Sequence, residues 1–199
     1  MVASQIRRRG VKDKRVLAAM EAVPRHEFIT SKQKLYAYED SPLPIGHKQT
    51  ISQPYIVAYM TEQLMIKPEH TVLEIGTGCG YQAAILSELA QSVTSVEIVP
   101  ELARDASARL KKLGYNNVIV HHGDGRLGWP DYAPYNRIIV TAAPNRVPEA
   151  LIEQLDQNGR MIVPVGYTRF SQKLEIVVKD RSGVVEYVPS LAVRFVPLV

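Results

Sequence analysis

The chain has 199 residues, 46% hydrophobic and 22% charged, which excludes a disordered protein and fits one large globular domain over 1–199. Its formal net charge of +4 comes largely from "RRRGVKDKR" beginning at Arg7, and the other charges nearly balance, so no nucleic-acid groove is expected. A single cysteine, Cys79, excludes an internal disulfide and Cys-rich zinc sites; with no secretory signal and no membrane-length apolar run, the expected location is the cytoplasm.

Along the chain, "DKRVLAAMEAV" carries apolar residues at helical spacing, with Asp13 as N-cap and Pro24 as the stop. "YEDSPLPIGHKQ", with two prolines and a glycine, reads as a loop. It leads into "SQPYIVAYMTEQLMI", a helix with Ser52 at the N-cap and Pro54 in the first turn. Residues 1–50 thus form a helical and loop extension before a change of pattern.

From Thr71 onward short apolar runs alternate with helical ones. "TVLEIG", "SVTSVEI", "NVIVHHGDG" and "YNRIIVTAA" read as strands. "QAAILSELA", "PELARDASARLKKLG" and "PEALIEQLDQNG" read as helices, the last two opened by proline and closed by glycine. "RMIVPVG" is a further strand, and "KLEIVVKD" with "VVEYVP" forms a hairpin across Arg181, Ser182 and Gly183. This alternation predicts a doubly wound α/β fold: a mostly parallel sheet with helices on both faces, antiparallel at one edge.

"VLEIGTGCGYQ" places Gly76, Gly78 and Gly80 where the first of these strands turns into a helix, so a ligand can approach the backbone closely. Glu97 ends the second strand about twenty residues after the first glycine, where an acid takes ribose hydroxyls. Asp124 and Gly125 end the third, and an acid beside a free amide suits adenine. The spacing is G-x-G-x-G rather than the dinucleotide G-x-G-x-x-G, and no basic residue lies in the loop. Glu74, two residues before Gly76, would repel phosphates but suits a ligand with an ammonium and a sulfonium. This arrangement resembles motif I of the S-adenosylmethionine-dependent methyltransferases.

Ser52 has three readings: helix cap, nucleophile, or holder of another molecule's nucleophile. No G-x-S-x-G elbow supports a hydrolase serine, and the five histidines include no H-E-x-x-H pair. His121 and His122 are neighbours on a strand and point to opposite faces, one packed and one solvated. No metal site is expected.

Seven segments taken together, "AVPRHEFI", "LPIGHKQTISQPYIVAYMTE", "VLEIGTGCGYQAAIL", "HHGDGRLGW", "IIVTAAP", "VPVG" and "VRFVPLV", resemble the protein-L-isoaspartate O-methyltransferases, in order and over almost the whole chain. The resemblance implies a Rossmann-like class I methyltransferase with a seven-stranded sheet whose last two strands are exchanged relative to other methyltransferases, and extra helices around the cofactor, here an N-terminal helical cap. It implies methyl transfer from S-adenosylmethionine to the α-carboxylate of L-isoaspartyl residues, and weakly of D-aspartyl residues. The ester then collapses to a succinimide, initiating protein repair and leaving S-adenosylhomocysteine.

On this resemblance the T-I-S-x-P serine, Ser52, is the active-site residue, expected to cap its helix and to donate a hydrogen bond without attacking anything. Gln53, Glu74, Gly76, Thr77, Gly78, Gly80, Glu97, Asp124, Gly125 and Thr141 are the expected cofactor residues. Thr50, Ile51, Ala142, Ala143, Phe195 and Val196 are the expected substrate residues, and the partners are isoaspartyl peptides and proteins bound by a monomer without nucleic acid or membrane. Val57 stands where some eukaryotic members have histidine, and Cys79 where serine is commoner. A nucleic-acid methyltransferase and a cofactor-binding module without activity are the alternatives.

Overall fold

The computed structural model describes residues 1–167 and 172–199. Near the N-terminus, α1 (Lys14–Ala22) starts where the Asp13 carboxylate accepts the backbone N–H of Arg15 at 2.8 Å and of Val16 at 3.3 Å. A helix this short is unstable alone and is held by burying Val16, Leu17, Ala19 and Met20.

The main sheet comprises β3 (Thr71–Ile75), β4 (Ser92–Glu97), β5 (Val118–His122), β6 (Tyr135–Val140), β7 (Leu155–Val165), β8 (Gln172–Lys179) and β9 (Val185–Val193). β1 (Leu43–Gly46) and β2 (Gln49–Ile51) form a separate hairpin. The seven strands lie in the order β5-β4-β3-β6-β7-β8-β9. Pairing is parallel from β5 to β7 and antiparallel through β8 and β9. β3 and β4 are buried on both faces, which is why they read as nearly continuous apolar runs. The chain leaves β3 toward β4 on one side and later returns to β6 on the other. The carboxyl end of β3 is therefore a topological switch point, where such sheets open a crevice.

One face of the sheet, through Val72, Val93, Ile139 and Ile162, packs under α1, α2 (Pro54–Gln63) and α3 (Tyr81–Ser87), with Ile6 and Phe28 from the N-terminal extension. Leu110 of α4 (Pro100–Lys112) joins this layer. The other face, through Leu73, Ile75, Ile138, Val140 and Met161, packs on Leu151 of α5 (Glu149–Gln154). Burial of these side chains stabilises each by roughly 1.5–3 kcal/mol relative to exposure.

Two expectations are corrected. The loop at Tyr38–Gln49 contains the β1–β2 hairpin, turned by His47 and Lys48 at φ 50° and 59°. Such turns are usually signalled by Asn or Gly, and His-Lys carries no such signal. The helix expected over 148–159 stops at Gln154, and Leu155–Gly159 belongs to β7. Leu155 pairs with Tyr135 and is fully buried, so tertiary pairing overrides the local helical pattern. The hairpin of β8 and β9 stands as expected, its turn held by the Asp180 carboxylate accepting Ser182 N–H at 2.8 Å and Val184 N–H at 2.9 Å.

Candidate active site

Three strand ends and the turn after β2 converge at the switch point. Gly76 follows β3 at φ 92°, and a Cβ there would strike the Thr141 side chain, so only glycine fits. The Thr141 hydroxyl donates to the Gly76 carbonyl at 2.6 Å, with the Ile75 carbonyl 3.0 Å away, tying the end of β6 to the glycine loop. Across the loop, Glu97 accepts Gly78 N–H at 2.8 Å through Oε2 and Val99 N–H at 3.0 Å through Oε1. Each of its oxygens keeps a lone pair for a further donor such as a sugar hydroxyl.

These groups line a narrow crevice of about 80 Å³, which includes Thr50, Ile51, Ser52, Gly76, Thr77, Gly78, Glu97, Thr141, Ala142 and Val196 of the expected residues. Ile45 of the β1–β2 hairpin lies over Gly78. A second cavity of about 580 Å³ adjoins it, lined by Gln53, Tyr55, Leu191, Arg194 and Phe195 among others. Thr50, Ser52, Thr141 and Val196 border both, so Ser52 stands at their junction.

Other expected residues lie just outside the two linings. Gly80 opens α3 at φ 90°, where a Cβ would press on Leu110, and a Cβ on Gly125 would collide with Ile75. Ala143 exchanges backbone hydrogen bonds with Val196 at 2.8 Å and Leu198 at 2.9 Å, fixing the terminal segment against β6. The Asp124 carboxylate accepts Arg126 N–H at 2.9 Å and pairs with its guanidinium at 2.7 Å, contacts that lower its pKa.

Glu74 is fully buried one layer behind the crevice. Its Oε2 accepts from the Ser95 hydroxyl, which in turn contacts Thr77, a crevice residue. Its Oε1 has no partner among the described residues, and burial pushes its pKa up to about 8. An orphaned acceptor behind a loop without basic side chains fits a cationic ligand end and disfavours phosphates. With Glu97 at the crevice wall, the residues present fit S-adenosylmethionine.

The capping role expected for Ser52 is corrected. With Pro54 as the first helical residue, the N-cap of α2 is Gln53, which makes no side-chain cap bond. The cap comes from a distant loop: Asp40 Oδ1 accepts Tyr55 N–H at 3.1 Å. Gln53 Nε2 donates to the Asp40 carbonyl at 2.8 Å and carboxylate at 2.9 Å. Arg9 pairs with Asp40 at 2.6 Å and lies 3.5 Å over the Tyr55 ring. Among the described residues nothing bonds the Ser52 hydroxyl, and the residue lines both cavities.

Asp40, Arg9, Arg25 and Tyr81 were not singled out by the sequence reading. Position is the signal shared by the first three, which lie in the N-terminal extension and reach back over the segment that follows β2, while Tyr81 opens α3. His121 packs on Trp129 with ring centroids 3.9 Å apart, while His122 is exposed, its Nε2 3.2 Å from the Ile98 carbonyl. Among the described residues no group of three or more His, Cys, Asp or Glu stands ready to hold a metal.

The family model for protein-L-isoaspartate(D-aspartate) O-methyltransferase matches residues 1–199. The protein-L-isoaspartate O-methyltransferase of Gloeobacter violaceus is 55% identical over 198 residues, covering 100% of this chain and 96% of its own. Protein-L-isoaspartate O-methyltransferase 1 of Cupriavidus necator is 56% identical over 187 residues, covering 94% of this chain and 72% of its own. A solved protein-L-isoaspartate O-methyltransferase superposes with TM-score 0.87 at 32% identity, over 96% of this chain and 62% of that longer chain. The fold is also that of a Plasmodium falciparum protein-L-isoaspartate O-methyltransferase solved with S-adenosyl-L-homocysteine, with TM-score 0.84, 24% identity and coverage of 97% and 94%. A match along every residue and more than half identity to relatives make this chain a member of the protein-L-isoaspartate(D-aspartate) O-methyltransferase family.

Proposed function

We propose that this protein transfers a methyl group from S-adenosylmethionine to the α-carboxylate of L-isoaspartyl residues, and weakly of D-aspartyl residues, in damaged proteins, initiating repair through a succinimide. The observation that carries it is Ser52, which lines both the crevice at the glycine loop and the larger cavity and whose hydroxyl has no partner among the described residues. S-adenosylmethionine supplies, when bound, a methyl group activated on a sulfonium.

The chain's own residues do the rest. Glu97 receives the ribose hydroxyls, and the Glu74–Ser95–Thr77 hydrogen-bond chain stands behind the cationic end with no basic side chain in the loop to oppose it. The acceptor carboxylate has a pKa near 4 and is ionised at neutral pH, so no general base is required. Ser52 donates one hydrogen bond to it, and Thr141 and Ala142 border its path to the crevice. Aligning the two partners in line is worth up to roughly 7–11 kcal/mol. The reaction destroys a charge pair, so the apolar walls supplied by Ile75, Val57 and Val196 favour it by excluding water. A single hydroxyl leaves the carboxylate reactive, where an arginine fork would hold the ground state too firmly.

The larger cavity, bordered by Leu191–Val196, suits an extended peptide held through main-chain bonds, which tolerates many flanking sequences. Thr50, Ile51, Phe195 and Val196 are the residues assigned to that contact, Ala143 to holding the terminal segment beside it. Ile45 of the β1–β2 hairpin stands over Gly78 at the edge of the crevice. We place the enzyme in the cytoplasm as a monomer of one domain; among the described residues no helix is long and apolar enough to cross a membrane.

The test is methyl transfer from labelled S-adenosylmethionine to three acceptors: an isoaspartyl peptide, its aspartyl twin, and bulk RNA. Base-labile label on the isoaspartyl peptide alone is expected. Stable label on RNA, or binding without transfer, refutes the proposal.

A further inference from the structure

Among the described residues Arg25 is the largest fully buried side chain, at 0% exposure, and no carboxylate forms a salt bridge with it. Its Nε donates to the Ala37 carbonyl at 2.8 Å and its Nη2 to the Ser52 carbonyl at 2.7 Å. The guanidinium carbon lies 4.9 Å from the centroid of the Tyr81 ring, and Tyr81 lines the crevice beside Ser52. Nη1 is buried without a partner among the described residues. Desolvation lowers the pKa of this guanidinium, outweighing the opposing influence of the Tyr81 side chain, Cys79 and Asp40.

A buried cation without a counter-ion is a costly way to tie two carbonyls together. A neutral side chain could bridge them at less cost, but it would not reach both carbonyls in a fixed plane while stacking on the crevice wall. Only the guanidinium fork does so, because its donors are rigidly disposed. Ser52 is also the residue with most need of such a brace. It lies in the extended link between β2 and α2, and its own side chain makes no bond that would hold it.

We propose that Arg25 is the positioning residue of the transfer reaction: it fixes Ser52 through its backbone carbonyl, against Tyr81, so that the hydroxyl aims at the acceptor carboxylate. This rests on the reading of Ser52 given above. Arg25 touches no substrate itself and acts through Ser52 alone. Asp40 and Arg9 anchor the helix that follows, and Arg25 sets the angle of the residue that precedes it.

The test is a double-mutant cycle in kcat/KM for an isoaspartyl peptide, using Arg25→Lys, Ser52→Ala and the pair. Lysine keeps the charge but reaches only one carbonyl, and a misplacement of this kind is expected to lower kcat/KM about a hundredfold. In the Ser52→Ala background the same change is expected to cost less than about threefold, because the group it positions is gone. Equal loss in both backgrounds assigns Arg25 a general structural role and overturns the proposal. Ser52→Ala without effect on kcat/KM overturns the Ser52 reading and this inference with it, so the two failures are distinguishable. Should Arg25→Lys not fold, Arg25→Ala is assayed with added methylguanidinium. Restored transfer supports the proposal, and a folded variant that the ion does not restore overturns it.

Discussion

Ser52→Ala and Asp40→Ala separate two roles that a local reading merges at one residue. The cap of α2 is the Asp40 carboxylate on Tyr55 N–H at 3.1 Å, and the same side chain accepts from Gln53 and pairs with Arg9. Losing an N-cap costs about 0.5–2 kcal/mol, and the partly buried hydrogen bond from Gln53 adds about 0.5–1.5 kcal/mol. The Arg9 pair is exposed on one side and adds little. Asp40→Ala is therefore expected to destabilise the protein by about 1–3.5 kcal/mol, lowering Tm by roughly 2–14 °C for a chain of this size. Ser52→Ala removes a hydroxyl that bonds nothing among the described residues, so its stability change is expected within about 0.5 kcal/mol. Its cost falls on kcat/KM for an isoaspartyl peptide. One hydrogen bond to a charged acceptor is worth about 1.5–3 kcal/mol, or roughly ten- to 150-fold. Thermal melts and initial rates on both variants form the assay. A Ser52→Ala protein that melts several degrees lower with undiminished kcat/KM would refute the reasoning, returning Ser52 to the role of a cap.

Glu74 gives a pH signature. Its folded pKa is raised to about 8 by burial, against 4.5 when unfolded, so the folded protein binds more protons between those values. Its stabilising contribution is complete below about 4.5 and is lost as pH rises through about 8; Glu74→Gln, measured by urea midpoints across that window, is expected to remove this downward slope. Gly76→Ala places a side chain at φ 92° and against Thr141, and is expected to cost about 2–3 kcal/mol while abolishing S-adenosylmethionine binding, seen by melting and by ligand-induced Tm shift. The Cys79 thiol is buried and its pKa is raised by desolvation, so alkylation at neutral pH is expected to be far slower than for a free thiol, the rate rising only in denaturant. Rapid labelling of the native protein would contradict the burial.

The alternation of apolar strands with Pro-opened helices was enough to predict the parallel sheet, and the glycine loop marked where its crevice would lie. These features are local: each depends on residue spacing, on glycine and proline, and on which faces must be apolar. Glu97 at the end of β4 was legible for the same reason, because strand length fixes where a strand stops. What the sequence could not disclose is who holds whom across long separations. Asp40 caps a helix that begins at Pro54, Arg25 grips Ser52 and Ala37, and Ser95 stands between Glu74 and Thr77. Burial and hydrogen-bond partnership arise only when distant segments share a neighbourhood, so tertiary structure alone decided that Ser52 is left unbonded and that the Glu74 proton is held tightly.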